Sequence, residues 1–425
     1  MSVFAKASAS RTRRGILTGV ALAATSALLL SACASGDSPA DEPSASQEGP
    51  REDLTLKIGT VLPQTGALAF LGPPEEAGVG LAAQEINDAD LGITVEVEWG
   101  DSGDPDNKAY ETTVPRLLGA DVQALVGAAS SGVTKLFLDQ AIGAGVITFS
   151  PANTSPDFTT WDDNGLYWRT APSDLLQGEV LGNQIAEDGV GTIGIIYLND
   201  AYGSGLEQSL TENFTATGGE VVASESYNAG DTSFDAQVSS VTAANPEAIA
   251  IIGFDETATI VPAIAAGGFD TSKLYFVDGN LKQWGADMPV SIEGAKGTTP
   301  GPVLSDDFQE RLNTWWTGEG NEDLADFSYA AESYDAVVLL ALAALAANST
   351  DPTAIAEKLQ EVSGGTGEGE KVTDFASGAQ VILDGNVVDY DGYSGPVTFD
   401  ENGDPTEATI GIFQYGADNM HTRIN

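Results

Sequence analysis

The chain is almost without cysteine and histidine. Its one cysteine is Cys33 and its one histidine is His421, five positions from the end of 425 residues. A disulfide within the chain is therefore impossible, and Cys- or His-based metal centres are excluded. A triad of Ser or Cys with His needs a positioned histidine, and a lone one beside the C-terminus is a poor source. No G-x-S-x-G elbow or G-x-x-x-x-G-K-[ST] phosphate loop is present. Positive charge is scarce as well: 17 Lys and Arg stand against 63 Asp and Glu. Such a surface repels nucleic acid and anionic lipid headgroups. Carboxylates are so abundant that pairs of them single out no hydrolytic site.

The termini and the body read differently. Lys6, Arg11, Arg13 and Arg14 precede the apolar run ILTGVALAATSALLL, which closes on Leu30-Ser31-Ala32-Cys33. This layout is a signal peptide over 1–32, with an apolar run too short to span a bilayer. Its end resembles a bacterial lipobox, which implies that Cys33 is the lipidated first residue of the mature chain. The Arg13-Arg14 pair also suits a twin-arginine signal. Residues 33–53 are Ser, Ala, Pro, Asp and Glu with almost nothing apolar, the composition of a disordered tether. Without the leader's four basic residues, 13 Lys and Arg face 63 acids, a net charge of −50.

From residue 54 onward, short apolar strands alternate with helical segments. LKIGTVLP, ITVEVEWGDS, ALVGAAS, VITFSP and YWRTAP read as strands. PPEEAGVGLAAQEIND (73–88), PDNKAYETTVPRLLG (105–119) and GVTKLFLDQAIGAG (132–145) read as helices, with Pro115 expected to kink or break the second. The pattern restarts near 174 with DLLQGEVLGNQIAEDG and GTIGIIYLND. That alternation predicts parallel α/β sheets. Residues 328–348 predict a buried core helix, GPVTFD (395–400) and TIGIFQYG (409–416) predict late strands, and SGGTGEGEK (363–371) predicts a flexible surface loop. The expected fold class is α/β: two similar doubly wound lobes with parallel central sheets, joined by a multi-strand hinge, with a ligand cleft between them. Residues 54–173 with about 302–393 form lobe 1, and 174–301 with about 394–425 form lobe 2.

Open α/β sheets hold ligands beyond the C-terminal ends of their strands. In lobe 1 those ends carry Ser130-Ser131-Gly132 and, within FSPANTSPDF, Ala152-Asn153-Thr154. In lobe 2 they carry Asn199-Asp200-Ala201-Tyr202, Gly253-Phe254-Asp255 and Asp278-Gly279. Small and hydroxyl residues face aromatics and acids, which suits a small polar molecule.

In order, IGTVLPQTGALAFLG, AAQEIND, DSGDPDNKA, LVGAASSGVT, FSPANTSPDFT, YWRTAPSDLLQG, YLNDAYGSGL, VDGN, SYAAESYDAV and GPVTFDENGD resemble the Leu/Ile/Val-type amino-acid-binding proteins of ABC transporters, which have the type I periplasmic-binding fold. The resemblance covers about 54–416. It implies that Ser131 and Thr154 hold a ligand carboxylate through hydroxyl and backbone N–H groups. Ala152 would offer a backbone carbonyl, and Tyr202 and Asp278 would close from lobe 2, with Asp278 neutralising the ammonium. Leu71, Phe254 and Tyr329 fall at pocket-lining positions, which favours an aliphatic or aromatic ligand. Asn153 stays unassigned, and Ser130 stands where some relatives have a cysteine. The implied protein is a monomeric, lipid-anchored extracytoplasmic receptor, not an enzyme, with no cofactor and no metal. It would hand an amino acid to an ABC permease and its ATPase subunits. A related ligand (an amide, urea or an aromatic acid) and a sensing role stay open, and whether Asp278 faces the cleft discriminates between ligands.

Overall fold

A computed structural model describes residues 52–425; the leader, Cys33 and nearly all of the tether lie outside the described residues. The first sheet has five strands: β1 (Leu54–Val61), β2 (Ile93–Glu98), β3 (Ala124–Gly127), β4 (Ile147–Ser150) and β5 (Tyr167–Arg169). They are all parallel, in the order β2-β1-β3-β4-β5. Every residue of β3 and β4 is buried, as in a parallel sheet covered by helices on both faces. The second sheet begins with β6 (Thr192–Leu198), β7 (Glu220–Tyr227), β8 (Ala248–Ile252), β9 (Leu274–Phe276) and β10 (Lys296–Pro300). A small sheet follows, of β11 (Glu370–Val372), β12 (Val388–Gly392) and β13 (Gly395–Pro396). Then β14 (Ile410–Tyr415) and β15 (His421–Arg423) complete the second sheet, in the order β15-β14-β10-β9-β8-β6-β7.

The second sheet is not wholly parallel. Its five doubly wound strands are, but β14 pairs antiparallel with β10 and with β15. Residues 416–420 form too short a connection for anything but a hairpin. The chain passes between the two sheets after β5, after β10 and between β13 and β14.

Helix Ala330–Ala347 is long and apolar enough for a membrane span by length and composition, yet 89% of it is buried inside the protein. It packs on helix Gly72–Ala89 at close range: a Cβ on Gly78 would stand 2.2 Å from the Ala330 carbonyl oxygen. Around this pair, side chains from the first sheet and from helices Asp306–Gly318, Pro352–Val362 and Phe375–Leu383 form one core. A second core surrounds β6, β8 and β9.

Local departures from the sequence reading have local causes. The helix expected from 105 starts at Tyr110, because Asp104 Oδ1 accepts from the N–H groups of Asp106 and Asn107 and holds a turn there. Pro115 does not break it, and the helix runs on to Leu118. Of GPVTFD only Gly395–Pro396 enters a ladder; Pro396 has no N–H to continue one. The glycine-rich 363–371 segment is anchored at its two ends: Ser363 is buried and Glu370 opens β11.

Candidate functional site

Both doubly wound sheets reverse their strand order once among the parallel strands, and ligand crevices lie at such points. In the first sheet the reversal falls between β1 and β3; in the second it falls between β6 and β8. The segments leaving these four strands carry Leu68 and Leu71, Ala129 to Ser131, Tyr202, and Phe254. With Ala152, Asp278 and Tyr329 they line one cavity. Seven of the eight residues named from sequence are therefore brought together: Ser131, Ala152, Tyr202, Asp278, Leu71, Phe254 and Tyr329. Thr154 is buried behind the wall rather than in it.

The first-lobe wall is built on backbone. Ser130 caps helix Ser131–Gly143, its hydroxyl accepting from Val133 N–H at 3.3 Å. Ser131 is left free of capping, and its hydroxyl accepts from Ser155 N–H at 3.3 Å. The neighbouring segment Ser150–Ser155 is braced from three sides. Ser150 Oγ donates to the Ala128 carbonyl at 2.8 Å. Asn153 Nδ2 donates to the carbonyls of Ala128 and Ala129, both at 2.9 Å, while its Oδ1 accepts from Tyr167. Asn153 is thus fully engaged as a brace between two strand ends. Arg169, wholly buried, donates to the carbonyls of Asn153 and Ser155 at 3.2 and 2.8 Å, and its other nitrogens clamp Asp404 at 2.6 and 2.8 Å. Apart from the Thr154 hydroxyl, the side-chain polar groups of this turn have partners.

The second-lobe wall is built on side chains. Asp278 accepts from Tyr202 OH at 2.6 Å, Gln177 Nε2 at 2.7 Å and Tyr329 OH at 2.7 Å. Tyr202 stacks on Phe254 with ring centroids 5.4 Å apart and accepts from Gly279 N–H. Tyr329 holds a left-handed backbone, φ 60°, at the start of the long buried helix, which turns its ring from the first lobe toward Asp278. Burial raises the Asp278 carboxyl, and its three side-chain donors pull it back. Asp174 lies close by with both oxygens unpartnered. It is raised well above the usual range by burial and then by Asp278, with the Thr154 hydroxyl and Arg169 opposing. Thr154 Oγ1 closes no hydrogen bond of normal geometry.

Gln177, Asp174 and Arg169 were missed in the sequence. Gln177 had a readable signal. It falls on the same buried stripe as Leu181 and Ile185, where a polar side chain needs a partner. The elements also meet across the cleft, where Asp255 N–H donates to the Ala67 carbonyl. In this closed arrangement the cavity measures about 10 Å³, room for about one water.

The model of the periplasmic binding protein family matches residues 55–395. The chain belongs to this family. Among its relatives, the chemotactic signal transduction system substrate-binding protein BasB of Halobacterium salinarum is 28% identical, over 80% of this chain and 83% of its own. The leucine-, isoleucine-, valine-, threonine- and alanine-binding protein of Pseudomonas aeruginosa is 27% identical, over 72% and 82%. Among solved structures, the branched-chain amino acid transporter substrate-binding protein LivJ of Streptococcus pneumoniae, in complex with isoleucine, superposes with a TM-score of 0.68. The match covers 87% of this chain and 99% of that one at 23% identity, which establishes the shared type I fold. This periplasmic binding protein thus pairs a backbone-built wall with one carrying a buried carboxylate.

Proposed function

We propose that the chain captures one free amino acid with an aliphatic side chain outside the cytoplasm, held by a lipid on Cys33, and delivers it to an ABC permease. The carrying observation is Asp278, a buried carboxylate on the cavity wall whose three side-chain partners are all neutral. A ligand ammonium replaces one or more of these donors with a charge-assisted bond and removes the burial penalty that raises Asp278. Opposite it, the ligand carboxylate takes the N-terminus of helix Ser131–Gly143, where free N–H groups and the dipole favour an anion, with the Ser131 hydroxyl beside it. Ala152 contributes its carbonyl. The Thr154 hydroxyl, within the pull of Asp174, orders the floor. Leu68, Leu71, Ala129 and Phe254 enclose the ligand side chain.

An amide or urea leaves Asp278 without a cation, so the zwitterion is favoured. The cavity of about 10 Å³ requires the lobes to part before an amino acid enters, which fits capture by hinge closure. The relatives with amino acids in their names support the ligand class. Calorimetric titration with the twenty amino acids is the direct test. Heat with leucine, isoleucine or valine is expected, at a Kd of about micromolar; silence with all twenty removes the amino-acid reading. The name of BasB supports a second reading, delivery to a chemotaxis transducer. Loss of uptake on deleting the gene favours transport, whereas retained uptake with lost taxis favours sensing.

A further inference from the structure

Beside the hinge lies a second cavity, of about 270 Å³, walled by elements of both lobes. It shares Tyr329 with the amino-acid cleft but none of that cleft's other lining residues. Its apolar surface comes from Val303 and Leu304 on the segment leaving β10, from Phe327 before the long buried helix, and from Phe413 on β14. Among these stand polar groups with capacity to spare. Glu332 is 4% exposed, and among the described residues no other residue hydrogen-bonds its carboxyl. Thr299 is 8% exposed, and its hydroxyl has no partner among the described residues. Arg423 spends Nη1 on the Gly301 carbonyl at 2.9 Å and Nε on Asn425 at 3.0 Å, which leaves Nη2 unspent. Glu332 Oε1 comes to the same glycine, 3.1 Å from where a Cβ would stand on Gly301. Yet no ion pair joins Glu332 and Arg423. Asp326, also on the wall, accepts from the Ser328 N–H through Oδ1, and its charge acts on the His421 ring.

Buried polar groups without partners are costly unless something satisfies them. The Thr299 hydroxyl, the Glu332 carboxyl, the half-buried Arg423 and the His421 ring, whose two nitrogens have no partner among the described residues, stand around one largely apolar chamber, the make-up of a small-molecule site. We propose that the hinge cavity is a second binding site, for a small organic carboxylate with an apolar body. The carboxylate accepts from the Arg423 guanidinium, the Thr299 hydroxyl and the Glu332 carboxyl, and the apolar body lies along Leu304, Phe327 and Phe413. Burial raises Glu332 from its ordinary 4.5 to about 8, which keeps its proton available for donation at neutral pH. Because both lobes wall the cavity and Tyr329 faces both sites, occupancy and lobe closure are linked.

The probe is 4-methylpentanoate, which has leucine's apolar body and carboxylate and no ammonium. It is titrated calorimetrically into the full chain, into Asp278→Asn, and into Arg423→Gln and Thr299→Val. The last is isosteric and leaves the fold intact. Binding is expected in the full chain and retained in Asp278→Asn, about tenfold weaker in Arg423→Gln and severalfold weaker in Thr299→Val. Absence of binding up to about 10 mM overturns the proposal. So does binding lost in Asp278→Asn, or binding that both hinge variants leave intact. None of these outcomes depends on whether the cleft takes leucine.

Discussion

Arg169→Met tests the idea that the ligand-facing turn is held from behind. Arg169 joins β5 to three things at once: the carbonyls of Asn153 and Ser155, the Thr159 hydroxyl, and Asp404 on the third passage between the sheets. Methionine fills much of the volume but removes every donor. Breaking a buried pair leaves an uncompensated carboxylate, at about 3–5 kcal/mol. The orphaned carbonyls add about 1 kcal/mol or more each unless water reaches them. For a domain whose whole stability is about 5–15 kcal/mol, that is a large share. Urea unfolding monitored by tryptophan fluorescence measures the loss, and calorimetry with the cognate amino acid measures the effect on binding. Adding Asp404→Leu should return part of the loss, because the stranded charge is then gone. Ligand affinity should stay low in the double variant, since the turn still lacks its anchor. A single-variant loss below about 1 kcal/mol, or undiminished affinity in both variants, refutes the reasoning.

Asp278→Asn keeps the shape, turns one of the two tyrosine acceptor positions into an N–H donor and removes the partner of the ammonium; amino-acid affinity should fall at least about a hundredfold by calorimetry. Ser131→Ala and Thr154→Ala should each weaken binding severalfold with little change in the unfolding midpoint, and unchanged affinity in both would misplace the carboxylate subsite. Tyr329→Phe removes one donor to Asp278 and should alter the ligand on- and off-rates in stopped flow, because that bond spans the two lobes. Stability should fall as pH rises from about 4.5 to 8: the unfolded chain ionises Glu332 at its ordinary 4.5, while the folded chain holds the proton to about 8. Each pH unit in that window costs about 1.4 kcal/mol for this group. In Glu332→Gln the urea midpoint should decline less steeply over the same range; parallel curves for the two proteins would count against it.

The sequence made the doubly wound pattern legible because continuous apolar runs report burial: β3 is apolar on both faces and wholly buried. It did not announce the antiparallel edge, since a hairpin of six and three residues has no periodicity long enough to read. Site residues at strand ends were legible for a topological reason: Leu71, Ser131, Tyr202 and Phe254 follow β1, β3, β6 and β8 at the reversals of strand order, and Ala152 and Asp278 follow the adjoining β4 and β9. Residues that act through another residue were not. Arg169 ends a three-residue strand and looks like an edge charge. Only the fold brings Asp404 to it from 235 positions away. Asn153 shows the same limit: its neighbours suggest a turn, but its engagement with Ala128, Ala129 and Tyr167 depends on two other strands lying beside it.

The two walls of the cleft are satisfied in different ways, and this bears on how closure is driven. Backbone carbonyls and a buried arginine fix the first-lobe turn, and none of those bonds crosses to the second lobe's sheet. On the other side, Asp278 is satisfied by Gln177 and Tyr202 from its own lobe and by Tyr329 from the opposite one. Opening the lobes therefore costs Asp278 one of its three side-chain donors, while the bonds by which Asn153 and Arg169 brace the first-lobe turn stay within that lobe. A ligand ammonium can take over at the carboxylate as the lobes part, and its carboxylate can settle on a turn that is already formed. Selectivity for the zwitterion then resides mainly in the differential stabilisation of the closed state, carried by one carboxylate whose neutral partners are replaceable.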